Sequence, residues 1–546
     1  VLLATVLGAL PFLPSLAASY LADDWFFVAA YAGAREPFGD LVWRALSTLG
    51  GTPTTFYRPL PFVSLALQLR LDQSAAALHV VNLGLHALTT GLLAAMALRL
   101  TGGATAASVV ATLAFAWFPR RVEAVAWLSC RPDLCAAWFA LLSIFCFERL
   151  LRRRRSMWGG ASLVFWWLAL LSKESALLVP IVHLTLLAWS RAGTAPVPTE
   201  PCGRVRGTEP PRDGLEDSSA ARPRPPWRWL LPFAVSMPVY VLCRRAVVGS
   251  WIGGYGAGVF AVGTGGASAA AKHAAYQLLP PLEWLEPAMR AGRLAWLAAT
   301  LVLVVIVCLG LVVWRLRRDG AARVGLALAA AGGLPALTLP VSLTTTFNDR
   351  LLYLPALGVA LIGAALCSRI RRERLVAGGA AVLALLFVWS WSLSTRWATA
   401  GTISDRTLAA LAGALERETA SRVYLAAVPD SMGGAYLLRN GVREAMQVFG
   451  TAGPDRVATL ALYFIAPGAV PARPVHAIRR APLVVQLESV GVDPQVMVGT
   501  PDATGRATYE ASATLDRFGR RRGATIHLHE PGAVWLVGPG WVEDIR

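Results

Sequence analysis

Apolar stretches of about 20 residues recur along this chain, and few folds can absorb them. A bilayer core about 30 Å thick calls for helices of roughly that length. With no water at that depth, each helix must satisfy its own backbone hydrogen bonds. Reading the apolar runs predicts eleven spans, near 1–20, 77–99, 104–119, 123–148, 157–172, 175–190, 229–249, 293–314, 325–345, 350–368 and 376–394. Composition agrees: 55% of residues are hydrophobic and 15% charged, against about 25% charged in an ordinary soluble domain. The predicted fold class is an all-α polytopic membrane domain over 1–394. A small α/β, mostly β, extracytoplasmic domain follows over 395–546.

The formal net charge of +18 invites a nucleic-acid reading, but the distribution argues against it. Aromatic residues lie in or beside the spans and are not interleaved with the basic clusters, as a base-stacking surface would require. Arg placement reads instead as orientation. Arg152 to Arg155 form one cluster, and a Pro-rich stretch from Arg191 to Arg228 holds seven Arg. Arg315, Arg317, Arg318 and Arg323 make a third cluster, and Arg369, Arg371, Arg372 and Arg374 a fourth. The eleven-span parse puts all four on one side, which the positive-inside rule makes cytoplasmic. Residues 21–76, 119–122, 173–174, 250–292, 346–349 and everything after about 394 then face outward. The expected location is a bacterial cytoplasmic (inner) membrane, with the N-terminus cytoplasmic and membrane lipids as neighbours. The apolar start, ending near Ala17-Ala18-Ser19, is expected to be an uncleaved first helix.

The segments between spans have character of their own. Phe38, Leu41, Val42, Ala45, Leu46 and Leu49 form the stripe of an amphipathic helix within the outer loop 21–76. Trp25 and Trp43 read as interfacial anchors. The loop 250–292, with Trp251, Tyr255, Tyr276, Trp284 and Pro280-Pro281, is expected to lie along the interface or re-enter it. In the tail, 405–418 and 434–449 read as helices and Val423 to Val428 as a strand, with short β runs from 456 onward. The seven Cys show no disulfide or metal spacing. His527 and His529 share one strand face, which reads as half a metal site or, more readily without further ligands nearby, as a solvated or packed face.

Ionisable groups at membrane level are costly and mark function. Here they collect at the outward helix ends: Asp23-Asp24, Glu123, Arg131 with Asp133, Lys173-Glu174 and Asp349-Arg350. His79 and His86 lie toward the outer end of the second span. Glu123, Ser129, Arg131 and Asp133 are expected within the first three turns of one helix. Of the 51 Lys and Arg residues, only Lys173 and Lys272 are Lys. Structural readings stand beside the functional ones: solvated loop charges at Asp23-Asp24, a buried Glu123–Arg131 ion pair, a polar turn at Lys173-Glu174, packed histidines, and Arg120-Arg121 on lipid headgroups. A pocket alternating carboxylates and cations suits a sugar on a polyprenyl phosphate. Cations would hold the phosphate while a carboxylate deprotonates an incoming hydroxyl.

Six stretches carry a resemblance: Ala22-Asp-Asp-Trp-Phe26, Phe56-Tyr-Arg-Pro-Leu60, Leu78-His-Val-Val-Asn-Leu-Gly-Leu-His86, Val122-Glu-Ala-Val-Ala-Trp127 with Arg131-Pro-Asp-Leu134, Leu171-Ser-Lys-Glu-Ser175 and Asn348-Asp-Arg-Leu-Leu-Tyr-Leu-Pro355. In this order, over about residues 15–395, the chain resembles the multispanning GT-C glycosyltransferases, particularly their protein O-mannosyltransferase-like branch with the cadherin-targeting transmembrane O-mannosyltransferases. The resemblance implies a GT-C-like catalytic domain. It implies Asp24 or Asp23 as catalytic base, and Arg58, Arg131, Lys173 and Arg350 on the donor phosphate. Glu123, Asp133, Glu174, His79 and Tyr353 would lie on the orienting or acceptor side. It further implies a polyprenyl-phosphate sugar donor and a protein or glycolipid acceptor, with inversion expected. Some GT-C enzymes use a divalent metal and others do not, so no cofactor is assigned. The sequence departs from the family at Phe118-Pro119 and Cys130-Arg131, and no 34-residue repeat follows residue 394. A lipid or polysaccharide transporter and a non-catalytic envelope scaffold remain the alternatives. The first would place charges near the bilayer midplane and show two related halves.

Overall fold

The computed structural model describes residues 1–50, 56–191, 226–251, 264–285, 295–337, 339–451, 453–465, 475–489, 495–496, 509–515 and 521–545. The Arg-rich, Pro-rich stretch 192–225 with Cys202 lies outside the described residues, as does Tyr255. The chain is mostly helical. In order come α1 (Leu2–Ala17), α2 (Asp24–Tyr31), α3 (Phe38–Ser47), α4 (Pro59–Leu71), α5 (Ala75–Leu100) and α6 (Thr105–Ala116). Then follow α7 (Val122–Ala126), α8 (Arg131–Arg153), α9 (Ser156–Leu170), α10 (Pro180–Arg191), α11 (Trp227–Val248) and α12 (Thr264–Ala275). The series ends with α13 (Ala295–Arg315), α14 (Gly320–Ala336), α15 (Tyr353–Cys367), α16 (Arg372–Leu415) and α17 (Val442–Val448).

Six of these helices are long and apolar enough to cross a membrane: α5, α8 with its preceding turn, α11, α13, α15 with its preceding turn, and α16. Other expected spans correspond to shorter pieces. The apolar run 104–119 forms only α6, and 157–172 only α9. The run 325–345 overshoots, because Gly332, Gly333 and Pro335 end α14 early. The amphipathic helix expected near 38–49 is α3, with Leu41 and Ala45 buried and Trp43 exposed. Trp25 is no interfacial anchor: it is buried between Tyr20 and Phe449. The apolar helix α4 lies within the expected outer loop 21–76.

The run 123–148 is not one helix. The chain turns at 127–130, and α8 begins only at Arg131, with Pro132 in the first turn, where its missing N–H costs nothing. Glu123 and Arg131 therefore sit on different elements. Arg residues at the opposite ends of these helices form local ion pairs. Arg99 of α5 and Arg152 of α8 share Glu148, and Arg369 after α15 pairs with Asp319 before α14 at 3.3 Å. Helices α14 and α15 cross at Gly325 and Gly358, where a Cβ on Gly358 would lie 2.2 Å from the Gly325 carbonyl. Small residues permit that approach.

Helix α16 runs 44 residues without a break, about 66 Å at 1.5 Å per residue. The expected 405–418 helix is its far end. There it carries a mixed sheet ordered β11 (Trp541–Asp544), β10 (Ala533–Gly538), β1 (Val423–Met432), β4 (Ala461–Ile465), β7 (Gln495–Val496). Strand β1 is buried along its whole length and runs parallel to both β10 and β4. A second, antiparallel sheet follows the order β5 (Val475–Ala481), β6 (Val484–Ser489), β9 (Arg521–Leu528), β8 (Tyr509–Leu515). His527 lies on β9, while His529 falls past its end; both are exposed. The short β3 (Val457–Thr459) pairs with the start of β1, and β2 (Ala435–Tyr436) folds back on its end.

The expected 434–449 helix is therefore corrected to a hairpin followed by a short helix, α17. Gly433 and Gly434 both adopt positive φ, 57° and 92°, the requirement of a two-residue hairpin turn. Beyond them, residues 435–441 form a tongue that runs back along β1 as far as Leu438 while reaching the helical part.

Candidate functional site

The ionisable groups at the ends opposite the Arg clusters do converge, through contacts between residues far apart in sequence. Asp23 and Asp24 follow Ala22, whose φ of 46° is left-handed, a costly conformation for a residue with a Cβ. Ala22 is held there by its N–H donating to the Leu437 carbonyl of the tongue at 3.0 Å. Asp24 is buried. Its Oδ1 accepts from the Ser129 backbone N–H at 2.8 Å and from the Ser129 hydroxyl, and its Oδ2 accepts from the Leu21 N–H at 3.0 Å. Both oxygens are thus engaged in holding the turn ahead of α8. Asp23 is half-buried and accepts one bond, from Asn440 Nδ2 at 2.7 Å.

Burial lifts the Asp24 carboxyl to about 7, working against the bonds from Ser129 and Leu21 and with the charge of Asp23. Burial also raises Asp23, against the Asn440 bond and the positive fields of Arg350 and Arg439. Neither is a solvated loop charge.

The neighbouring groups form ion pairs. Arg58 meets Glu174 at 2.8 Å, Lys173 Nζ meets Asp133 at 2.5 Å, and Arg120 meets Asp349 with both side chains fully buried. Arg350 pairs with Glu123, which also accepts from the Tyr436 hydroxyl at 3.1 Å. Arg439 grips Asp430 through two bonds of 2.7 Å. The expected Glu123–Arg131 pair is thus corrected to Glu123–Arg350. Lys173 and Glu174 are not a bare polar turn, since each is tied to another element. Asp23, Asp24, Arg121 and Arg131 are left outside any ion pair among the described residues.

Arg131 is fully buried and bonds only neutral acceptors: Asn82 at 2.9 Å, the Leu78 carbonyl at 3.0 Å and Ser64 at 3.3 Å. Arg120 and Arg121 do not lie among headgroups, because both are buried. Arg120 also binds the Leu279, Ser342 and Leu343 carbonyls. Arg121 donates to the Leu352 carbonyl at 2.9 Å, and its Nε finds no partner. His79 is buried with both ring nitrogens unpartnered, whereas His86 bonds the Tyr353 hydroxyl at 2.7 Å. Tyr353 thus forms an interior pair with His86, close to Arg121 and to Asp133.

A groove of about 560 Å³ runs between α6, α15 and α16, floored by small residues such as Ala111, Ala360, Gly363, Gly378 and Gly379. It is apolar except at one end. There Arg121 Nε and the Gln277 side-chain carbonyl, both buried, are without hydrogen-bond partners. Arg121 lies close to Asp349, so the groove's polar end borders the buried Arg120–Asp349 pair.

Sequence reasoning missed Tyr436, Arg439 and Asn440, and it missed Arg121 as a groove residue. The Gly433-Gly434 pair after a predicted strand was the available hairpin signal. Nothing local marked the burial of Arg121. Among the described residues, no group of three or more His, Cys, Asp or Glu is arranged to hold a metal. No protein-family model and no curated protein matches this chain.

Proposed function

We propose that the protein is a membrane glycosyltransferase of GT-C-like design, moving a sugar from a polyprenyl-phosphate donor to an acceptor hydroxyl at the outer face of the membrane. The observation carrying this reading is the apolar groove that ends on Arg121, a buried cation outside any ion pair among the described residues and close to the carboxylate of Asp349. An isoprenoid chain fits such a groove, and Arg121 Nε and Arg131 are donors suited to its phosphate. Of the four cations assigned to that phosphate by resemblance, Arg58, Lys173 and Arg350 are engaged with carboxylates. Their part is to hold the frame, which leaves Arg131 for the anion.

Between the two acids, Asp23 is the base. Asp24 has both oxygens occupied, whereas Asp23 keeps one oxygen for a substrate. The acceptor O–H gives its proton to Asp23, and its oxygen attacks the anomeric carbon. The bond from that carbon to the phosphate oxygen breaks with inversion, and polyprenyl phosphate departs with its charge met by arginine. Protein in nanodiscs, given a labelled polyprenyl-phosphate sugar and a hydroxyl acceptor, should release polyprenyl phosphate and glycosylated acceptor in equal amounts. Asp23→Asn should abolish both. Absence of turnover with every lipid-phosphate sugar, or full activity in Asp23→Asn, would refute the reading.

A further inference from the structure

The C-terminal sheet reaches into the candidate site through its tongue, and the contacts are specific. Tyr436 packs its ring on Trp127 at 4.5 Å and on Trp397 at 5.7 Å while its hydroxyl donates to Glu123. Arg439 lies over Phe347 at 4.9 Å. Asn440 donates to Asp23, and Leu437 accepts from Ala22. Two glycines seat the tongue. A Cβ on Gly434 would fall 2.5 Å from Thr346 Oγ1, and one on Gly441, at φ 79°, would fall 2.4 Å from the Ala22 carbonyl. The tongue thus touches four parts of the helical domain: the Ala22-Asp23 corner, α7 with Trp127, α16 at Trp397, and the approach to Arg350. Its root is closed by the bridge from the half-buried Arg439 to the buried Asp430.

We infer that this tongue is part of the catalytic apparatus, with Asn440 the positioning residue that fixes and polarises the Asp23 carboxylate. The inference rests on the transferase reading only for what Asp23 does, not for how it is held. Asn440 offers Asp23 an N–H and no charge. Around the same carboxylate stand Asp24 on its own segment, Arg350 from the helical part, and Arg439 and Glu444 from the tongue and α17. Removing the amide donor leaves Asp23 less stabilised as an anion. Replacing it by an isosteric carboxylate adds like charge to that loss.

Two readouts on the full-length protein separate this role from plain structural support. In the first, Asn440→Ala should lower kcat about tenfold with the donor KM little changed. The acid limb of its rate profile should move to higher pH, and Asn440→Asp, of the same shape, should move it further. In the second, labelling of Asp23 by a hydrophobic carbodiimide, which takes the acid's proton and is then attacked at carbon by its carboxylate oxygen, is followed by mass spectrometry against pH. Its midpoint should rise in the same order without any turnover being needed. Tyr436→Phe, which keeps the packed ring and leaves Asn440 in place, should leave that midpoint where it is in the wild type. An unmoved labelling midpoint in both Asn440 variants would overturn the positioning role. Shifted labelling in a protein that transfers no sugar would instead sink the transferase reading and leave the tongue's role intact.

Discussion

Asp23 and Asp24 are neighbours with different work because of what surrounds each oxygen. Burial holds Asp23 above the ordinary carboxylate range, and only its ionised form can accept a proton. The rate should therefore climb with pH, its acid limb lying above the value of about 4 for a free Asp. A kcat–pH profile checks the sign, and a rate falling from pH 4 to 7 would exclude Asp23 as base. Arg121 permits a second test. Arg121→Gln keeps a donor for the Leu352 carbonyl but loses the charge. The donor KM should rise roughly tenfold to a hundredfold, as for a lost charge-assisted bond, with kcat nearly unchanged. That Asp23, Glu123, Lys173 and Arg350 would gather with partners was legible in the sequence, because charges are costly at membrane level. How they pair was not. Arg58 and Glu174 are 116 positions apart and Glu123 and Arg350 are 227 apart, and no local pattern encodes such partners.

Apolar periodicity located the long helices, since a run such as 77–99 has only one low-energy form in lipid. It failed where a few residues redirect the chain. The turn at 127–130 interrupts an unbroken apolar run, and its reason lies elsewhere, in Asp24 binding Ser129. Likewise, Arg and Ala in 434–449 favour helix, while Gly433-Gly434 and the fit of Tyr436 beside Glu123 impose a hairpin. The groove between α6, α15 and α16 offers a test of its own. A Cβ on Gly378 meets no atom within 4 Å, so Gly378→Leu should leave packing undisturbed and narrow the groove. The KM should rise severalfold for long-chain donors and hold for a short-chain analogue; equal effects on both would argue that no chain lies there.

The molecule is less a membrane domain with an appendage than one body sharing a long helix. Its continuity past residue 394 was hidden by the fall in hydropathy, which reports the surroundings of a helix and not its end. Helix α16 walls the groove at Val382 and Leu386. Some 25 residues further on, Thr407 accepts from the Gly540 N–H between β10 and β11 at 3.0 Å. A rod of that span transmits tilt over about 40 Å. Loading the groove with a donor analogue should consequently slow hydrogen exchange in β10 and β11, far from any lipid contact. Identical exchange with and without the analogue would show the two ends to be mechanically independent. If the ends are joined, the distal sheet senses whether a tail is seated in the groove. Charging with donor and readiness for acceptor then become one event, carried by a single beam.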